Sequence, residues 1–305
     1  MLFYEERIGR ILTDLQELIS PITHEISEFR YLPVGDRYAD VNSLDTSSWQ
    51  KFDKTCSWGG HNVCAWFDTT VQIPEDMDKK CVLFALQVED GWDAINPQYT
   101  VYVNGVLRQG FDVNHRDLVL TECANAGDTY RITLRAFSGR DYYDLRMTGY
   151  LKSLDREVEQ YYYDLKVPHD VAKLLPRDSE DHHQIISALT DSINLLDMRD
   201  EKSESFRASL RAAEENIQKE FYKKRCGDKK QKIYCVGHTH IDVCWWWTLA
   251  VTRDKSVRSF STVLENMNAY PDFLFMSSQV QLYKYVQQDA PEVFERIKER
   301  VKEGR

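Results

Sequence analysis

The spacing of the apolar residues changes along this chain, and those changes limit the folds that it can adopt. Residues 2 to 19 repeat apolar side chains at helical spacing until Pro21, which predicts an amphipathic N-terminal helix. From about residue 35 to residue 150 the period becomes two, the spacing typical of strands. The helical period then returns until about Cys226. With 305 residues, 42% of them hydrophobic, the chain is long enough for two domains, or for one domain plus part of another, with real cores.

Two alternating runs define the strand region most clearly. They are Ala65, Phe67, Thr69, Val71 and Ile73, and later Tyr130, Ile132, Leu134 and Ala136. Between them, Val82 to Val88 is a continuous apolar run, and Asn104-Gly105 is the dipeptide that best fits a tight hairpin turn. Several short strands with turn signals between them predict an antiparallel β-sandwich of jelly-roll type. We expect its tryptophans to lie in the core rather than on a sugar-binding surface: Trp58, Trp66 and Trp92.

The helical stretch after the sandwich carries one clear apolar stripe. Its members are Ile185, Ile186, Leu189, Ile193 and Leu196. We expect Pro168 to break the preceding helix and Pro176 to end it, because proline cannot donate the helical hydrogen bond. Gly227 is placed to terminate the last helix. These residues are predicted to form a helical connector, after which a new domain begins.

The order of elements after the connector is typical of an α/β domain. We predict a strand at 232 to 237, a helix at about 254 to 268, a strand at Phe273 to Met276, and helices to the end, the last with Pro291 in its first turn. This order predicts a parallel sheet or barrel, of which two strands are too few for stability. The predicted divisions are an N-terminal helix (1–30), a β-sandwich (31–150), a helical connector (151–230) and the start of an α/β domain (231–305).

Residues 237 to 247, Gly-His-Thr-His-Ile-Asp-Val-Cys-Trp-Trp-Trp, concentrate the chemically active side chains. The apolar stretch Ile233 to Val236 predicts a buried strand that delivers them at its C-terminal end. In an extended backbone His238, His240 and Asp242 point the same way, and zinc accepts both imidazole nitrogen and carboxylate oxygen. A purely structural role is less favoured, because burying each group unpaired would cost roughly 1 to 3 kcal/mol. The aromatic cluster after them could stack on a sugar ring.

Charge and cysteine content narrow the partners and the compartment. A net charge of −10 disfavours nucleic acid and anionic membranes as partners, whereas a neutral carbohydrate is compatible. No run approaches the ~18 apolar residues of a membrane span, and the acidic N-terminus differs from a secretory signal. Seven cysteines without a Cys-x-x-Cys pair fit a reducing compartment. We therefore expect a cytoplasmic protein.

Three segments resemble one family. They are His238-Thr239-His240-Ile241-Asp242-x-x-Trp245, Ser278-Gln279-x-Gln281-Leu282-Tyr283 and Pro291-Glu292-x-Phe294-Glu295-Arg296-Ile297-Lys298. Together they resemble the start of the catalytic domain of glycoside hydrolase family 38, the α-mannosidases. The upstream helix, sandwich and connector are similar to the N-terminal architecture of its cytosolic and bacterial members. The fold class is therefore predicted as multidomain α+β, ending in the first part of an α/β barrel.

The resemblance implies a zinc-dependent retaining exo-α-mannosidase with a (β/α)7 barrel, acting on terminal α-linked mannose of oligosaccharides. It implies that His240 and Asp242 coordinate one zinc ion and that Trp245 forms part of the wall of the mannose pocket. It gives His238 either an orienting role behind the ligands or a plain structural one. Cys244 and Trp246 depart from the family, which usually has a small and an aliphatic residue there. We expect Cys244 to pack rather than to bind metal.

The resemblance also places the nucleophile, the acid/base and two further zinc ligands beyond Arg305. No catalytic residue is therefore assigned in this chain, which we expect to be the N-terminal part of a longer enzyme, inactive alone and with an incomplete zinc site. A homo-oligomer is compatible with the full-length enzyme. Asp254 and Glu265 are predicted to lie on a solvated helix face.

Two other functions stay open. One is a stand-alone carbohydrate-binding or assembly module without catalysis. The other is an amidohydrolase-type metalloenzyme, because barrels of that kind also carry His-x-His at the end of their first strand. The amidohydrolase interpretation leaves the tryptophan cluster and the upstream sandwich unexplained.

Overall fold

A computed structural model describes residues 3–89, 96–226 and 233–305. The chain forms two compact units, one from Met1–Thr23 with Lys152–Ile233, the other from His24–Leu151 with Tyr234–Arg305. We call them the helical unit and the sandwich unit. The sandwich and the residues that carry the histidine motif thus share one unit, and the finer four-part division stays a prediction. The predictions for Trp92 and Gly227 lie outside the described residues.

The described residues of the helical unit form four α-helices. These are α1 (Tyr4–Leu18), α2 (Arg156–Leu174), α3 (Glu180–Ile193) and α4 (Glu204–Ile217), the last extended by a π-helical turn, Gln218–Lys223. Side chains at Asp155, Ser179 and Ser203 cap α2, α3 and α4 by accepting hydrogen bonds from backbone N–H groups three residues on. The predicted stripe on α3 packs into a common core with α1, α2 and α4, which confirms both the N-terminal helix and the helical stretch.

The predicted break at Pro168 is wrong, because α2 runs through it from Arg156 to Leu174. Proline lacks the N–H that would bond the carbonyl of Asp164, four residues earlier. That carbonyl instead accepts a hydrogen bond from the Tyr222 hydroxyl at 3.0 Å. The freed acceptor is satisfied, so the helix continues, and it ends two residues before Pro176 as predicted.

In the sandwich unit, the residues that the structure describes form two antiparallel sheets. The strands are β1 (Thr23–Ile26), β2 (Phe29–Leu32), β3 (Gln50–Phe52), β4 (Trp58–Gly60), β5 (Cys64–Gln72), β6 (Cys81–Glu89), β7 (Gln98–Val103), β8 (Val106–Phe111), β9 (Asp117–Thr121), β10 (Thr129–Phe137) and β11 (Tyr143–Leu154). One sheet has the order β1-β11-β6-β9, with β4 beside β11, and the other has the order β3-β2-β5-β10-β7-β8. The antiparallel β-sandwich is therefore confirmed.

The two alternating runs of the sequence turn out to be direct neighbours. In the pairing of β5 with β10, Ala65 faces Ala136 and Phe67 faces Leu134. These four side chains are buried, so each run supplies half of one apolar surface. Between β7 and β8, both residues of Asn104-Gly105 have positive φ, at 50° and 78°, which confirms the tight hairpin turn. Two of the tryptophans lie in the core as expected, since Trp58 is 3% and Trp66 is 0% exposed.

The remainder of the sandwich unit holds three helices and a short parallel pair. They are β12 (Gly237–His238), α5 (Leu249–Ala269), β13 (Phe275–Met276), α6 (Val280–Asp289) and α7 (Pro291–Lys302). Helix α5 begins earlier than predicted, and Pro291 occupies the first turn of α7 as predicted. Apolar residues of the three helices share a core with Leu107 of β8 and Ile241 of the motif. No helix among the described residues is long and apolar enough to cross a membrane.

The predicted buried strand at 233 to 236 is wrong. These residues have no regular structure, and Ile233 and Tyr234 are 87% and 82% exposed. A parallel strand is buried when neighbouring strands and helices cover it. Within the described part of the chain β12 pairs only with β13, in parallel register, so that cover is incomplete. An apolar run in the sequence does not show whether neighbouring strands and helices will cover it.

The predicted solvated face of α5 is also wrong. Asp254 is only 8% exposed and lies between Arg37 and Arg135, with oxygen-to-nitrogen distances of 3.1 and 3.2 Å. The Glu265 side chain is 10% exposed and accepts hydrogen bonds from Arg108 and Arg296 at 2.9 and 2.8 Å. Three of these arginines belong to the sandwich. Helix α5 is therefore attached to the sandwich through two buried charge clusters.

Candidate functional site

The two predicted zinc ligands lie side by side just after β12. Ile241 between them is 2% exposed and belongs to the core of α5, α6 and α7. Because Ile241 points inward, His240 and Asp242 on either side point outward, with side chains 72% and 45% exposed. The His240 Nε2 atom is 3.0 Å from Asp242 Oδ1. A nitrogen and an oxygen donor are thus held together at the surface by one buried anchor.

His238 does not join them. It pairs through its backbone with Met276 of β13, and it lines a different cavity of about 320 Å³ together with Asp112 and His115 of the sandwich. The strand ends at His238, so the alternation of an extended backbone does not carry on to His240. Among residues 3–89, 96–226 and 233–305, no group of three or more His, Cys, Asp or Glu side chains could hold a metal ion.

The donor atoms present fit zinc in kind. Zinc takes imidazole nitrogen and carboxylate oxygen, and a catalytic site uses three protein ligands. His240 and Asp242 supply two. Cys244 is a free, exposed thiol, so the expectation that it packs is wrong. Its φ of 57° turns the chain, and its backbone N–H is tied to Thr252 Oγ1 at 3.3 Å, which leaves its side chain outside the core.

Three tryptophans after the motif form an aromatic ledge, Trp245–Trp247. Trp245 and Trp246 are 63% and 58% exposed. Trp247 is held more firmly, because its Nε1–H donates to Thr252 Oγ1 at 3.0 Å and Lys255 Nζ lies 4.3 Å from its ring centre. Thr252 is fully buried in the first turn of α5. It therefore fixes the turn at Cys244 and the base of the ledge at the same time.

A cavity of about 330 Å³ lies against this ledge. Its other wall comes from the sandwich and includes Asn62 and Arg140, with Lys255 of α5 at its edge. Burial, and then the nearby Arg258 charge, lower the pKa of Lys255 to about 8. Sequence reasoning missed this wall. The turn residues around it, Gly60 and Gly139 with positive φ, mark loops but do not say what they face.

Comparison with known families gives two matches. Residues 28–140 match the model described as the jelly roll domain of α-mannosidase. Residues 230–305 match the model described as the N-terminal domain of glycosyl hydrolases family 38. The first range covers the sandwich from β2 to β10, and the second contains the histidine motif.

Several curated proteins that are similar in sequence to this chain are named as α-mannosidases. α-Mannosidase G of Dictyostelium discoideum is 27% identical over 98% of this chain and 29% of its own length. An α-mannosidase of Saccharomyces cerevisiae is 27% identical over 76% of this chain and 23% of its own length. α-Mannosidase 2C1 of Homo sapiens is 29% identical over 47% of this chain and 13% of its own length. The chain spans less than a third of the length of these relatives.

Proposed function

We propose that this chain, which carries the N-terminal portion of a glycoside hydrolase family 38 α-mannosidase, belongs to a zinc-dependent retaining exo-α-mannosidase. The substrate is terminal α-linked mannose on a neutral oligosaccharide, and the catalytic domain is a (β/α)7 barrel that begins at β12. The observation that carries the proposal is the pair His240 and Asp242, 3.0 Å apart and next to the exposed Trp245.

Each of these residues has a distinct part in the proposed reaction. His240 and Asp242 would hold the zinc ion, which when bound polarises and orients the sugar. Trp245 offers an apolar face to the sugar ring.

In the proposed enzyme, the catalytic and binding groups are divided between this chain and a downstream segment. A retaining glycosidase needs two carboxyl groups about 5 to 5.5 Å apart, and family resemblance assigns them to a downstream segment. We therefore propose that residues 1–305 alone do not hydrolyse mannosides. The sequence supports a cytoplasmic setting, because its seven cysteines include no Cys-x-x-Cys pair and fit a reducing compartment. The amidohydrolase-type alternative is less well supported, because His238 and His240 do not face a common site.

Two variants of the complete enzyme test the proposal. Asp242→Ala removes a charged ligand, so zinc content and kcat should fall together. Trp245→Ala removes the sugar contact and should raise KM or lower kcat/KM on an aryl α-mannoside while zinc stays bound. Asp272→Ala, an exposed carboxylate on the same segment, serves as the control and should change neither.

The readouts are metal analysis and steady-state kinetics. If Asp242→Ala kept both metal and rate, or if Trp245→Ala stripped the zinc, the mannosidase assignment of this motif would be wrong. An active enzyme without measurable zinc would refute the metal role alone.

A further inference from the structure

We infer that the wall of the sandwich and the tryptophan ledge together form a second sugar subsite, which takes the ring next to the terminal mannose. The identity of the sugar rests on the proposed function. The site itself rests on the 330 Å³ cavity, which Trp246, Asn62 and Arg140 line from opposite sides. A neutral pyranose is the ligand class we assign to it.

The arrangement of the ledge calls for two sugar rings rather than one. The rings of Trp245 and Trp246 meet edge to face, with centroids 5.8 Å apart and planes at 73°. Two nearly perpendicular indole planes cannot both stack on one pyranose. Since both side chains are more than half exposed, each offers its own surface. If Trp245 contacts the terminal mannose, Trp246 is left for the neighbouring unit.

The polar lining suits a ring that is rich in hydroxyl groups. Asn62 brings an amide oxygen, Gln98 brings an amide NH2 group whose oxygen partner already accepts from Arg258, and Arg140 brings further donors. No Asp or Glu lines this cavity in the described part of the chain. The two positively charged side chains of the lining already contact the tryptophan ledge, because Arg140 Cζ lies 6.0 Å from the Trp246 ring centre and Lys255 lies over Trp247. A mostly apolar lining with a few oriented polar groups is the usual composition of a small-molecule binding site.

The wall is fixed in place before any ligand binds. Ser138 is fully buried; its Oγ donates to the Gly60 carbonyl at 2.8 Å and accepts from the Val63 N–H at 2.9 Å. The Asn62 N–H donates to the Gly139 carbonyl at 2.7 Å. These bonds join the loop that carries Asn62 to the loop that carries Arg140. A preformed wall reduces the ordering entropy that binding would otherwise cost.

Direct binding to the 305-residue chain tests the subsite without requiring turnover. The probes are a linear α-linked mannotriose and methyl α-mannoside, measured by ligand-observed NMR. The trisaccharide should bind more tightly. Trp246→Ala should weaken its binding by about 5- to 150-fold, taking the range known for aromatic stacking of nucleic-acid bases, and leave methyl α-mannoside unchanged. Trp246→Phe, which keeps an aromatic face, should retain most of the affinity.

A matched control separates the site from general surface effects. Tyr270 is 60% exposed and does not line the cavity, so Tyr270→Ala should bind the trisaccharide like the parent chain. The subsite is refuted if mannotriose binds no more tightly than methyl α-mannoside, or if Trp246→Ala and Tyr270→Ala behave alike while both melt like the parent chain. If maltotriose binds more tightly than mannotriose and depends on Trp246, the subsite stands and the mannosidase proposal fails.

Discussion

Replacing Asp254 with alanine should strongly destabilise the sandwich unit. One carboxylate oxygen accepts a hydrogen bond from Arg135 Nη2 at 3.2 Å. The other lies 3.1 Å from Arg37 Nη1, a charge contact without hydrogen-bond geometry. The two arginine side chains are only 13% and 16% exposed. Without Asp254, two guanidinium groups would stay close together in a space with little water.

The size of the effect follows from burial. Removing one partner of a buried ion pair costs about 3 to 5 kcal/mol, because the remaining charge is left uncompensated. Arg135 keeps a hydrogen bond to the Arg37 carbonyl at 2.7 Å, and Arg37 keeps its position over the Phe137 ring at 4.8 Å. These contacts hold the expected loss near 3 kcal/mol. Glu295→Ala, which removes an exposed pair with Lys298 on α7, should cost only about 0.2 to 1 kcal/mol.

Urea unfolding followed by tryptophan fluorescence is a suitable assay. All seven tryptophans belong to the sequence ranges of the sandwich unit, so their emission reports on that unit alone. Asp254→Ala should lower the midpoint by roughly 1 M or more at an unchanged slope. The reasoning fails if Asp254→Ala and Glu295→Ala cost the same. It also fails if Arg37→Met and Arg135→Met, added to Asp254→Leu, recover none of the lost stability.

Three further changes have defined outcomes. Tyr222→Phe should cost about 1 to 3 kcal/mol of helical-unit stability by far-UV circular dichroism, because it orphans the Asp164 carbonyl beneath Pro168; a smaller loss would refute that role. The hydrogen bond to Asp112 raises the pKa of His115 above 6.5, so Asp112→Asn should lower it in an NMR titration. The pair's stability contribution is present between 3.8 and 6.5, the ordinary pKa values of the two groups, and is lost as pH rises through the folded pKa of His115; the variant should lack this loss. Thr252→Val should cost about 1 to 3 kcal/mol in the fluorescence assay, since it leaves the Trp247 Nε1–H without its acceptor.

The sandwich could be predicted because its signals are local and agree with one another. The alternation around Phe67 and around Leu134 showed that each run has a buried face, and each face is completed by the other. The Asn104-Gly105 turn set the hairpin between β7 and β8. In each case the physical cause of the structure lies within a few residues of the pattern.

The wrong predictions differ from these, because the residues that decide the structure lie far away in the sequence. Whether Pro168 breaks α2 depends on Tyr222, whose hydroxyl satisfies the carbonyl that proline leaves without a donor. Whether Asp254 is solvated depends on Arg37 and Arg135 in the sandwich. Helical periodicity describes which face of a helix a residue occupies, but not what that face meets.

In the candidate site, one turn of α5 makes contacts with residues that are close in the sequence and with residues that are distant from it. Thr252 fixes the tryptophan ledge, and Asp254, two residues later, attaches the same turn to the sandwich through buried arginines. Any shift of α5 relative to the sandwich would therefore move the ledge relative to the wall that carries Asn62 and Arg140. We therefore expect the ion pairs of Asp254 to stabilise both the sandwich unit and the position of the ledge relative to that wall.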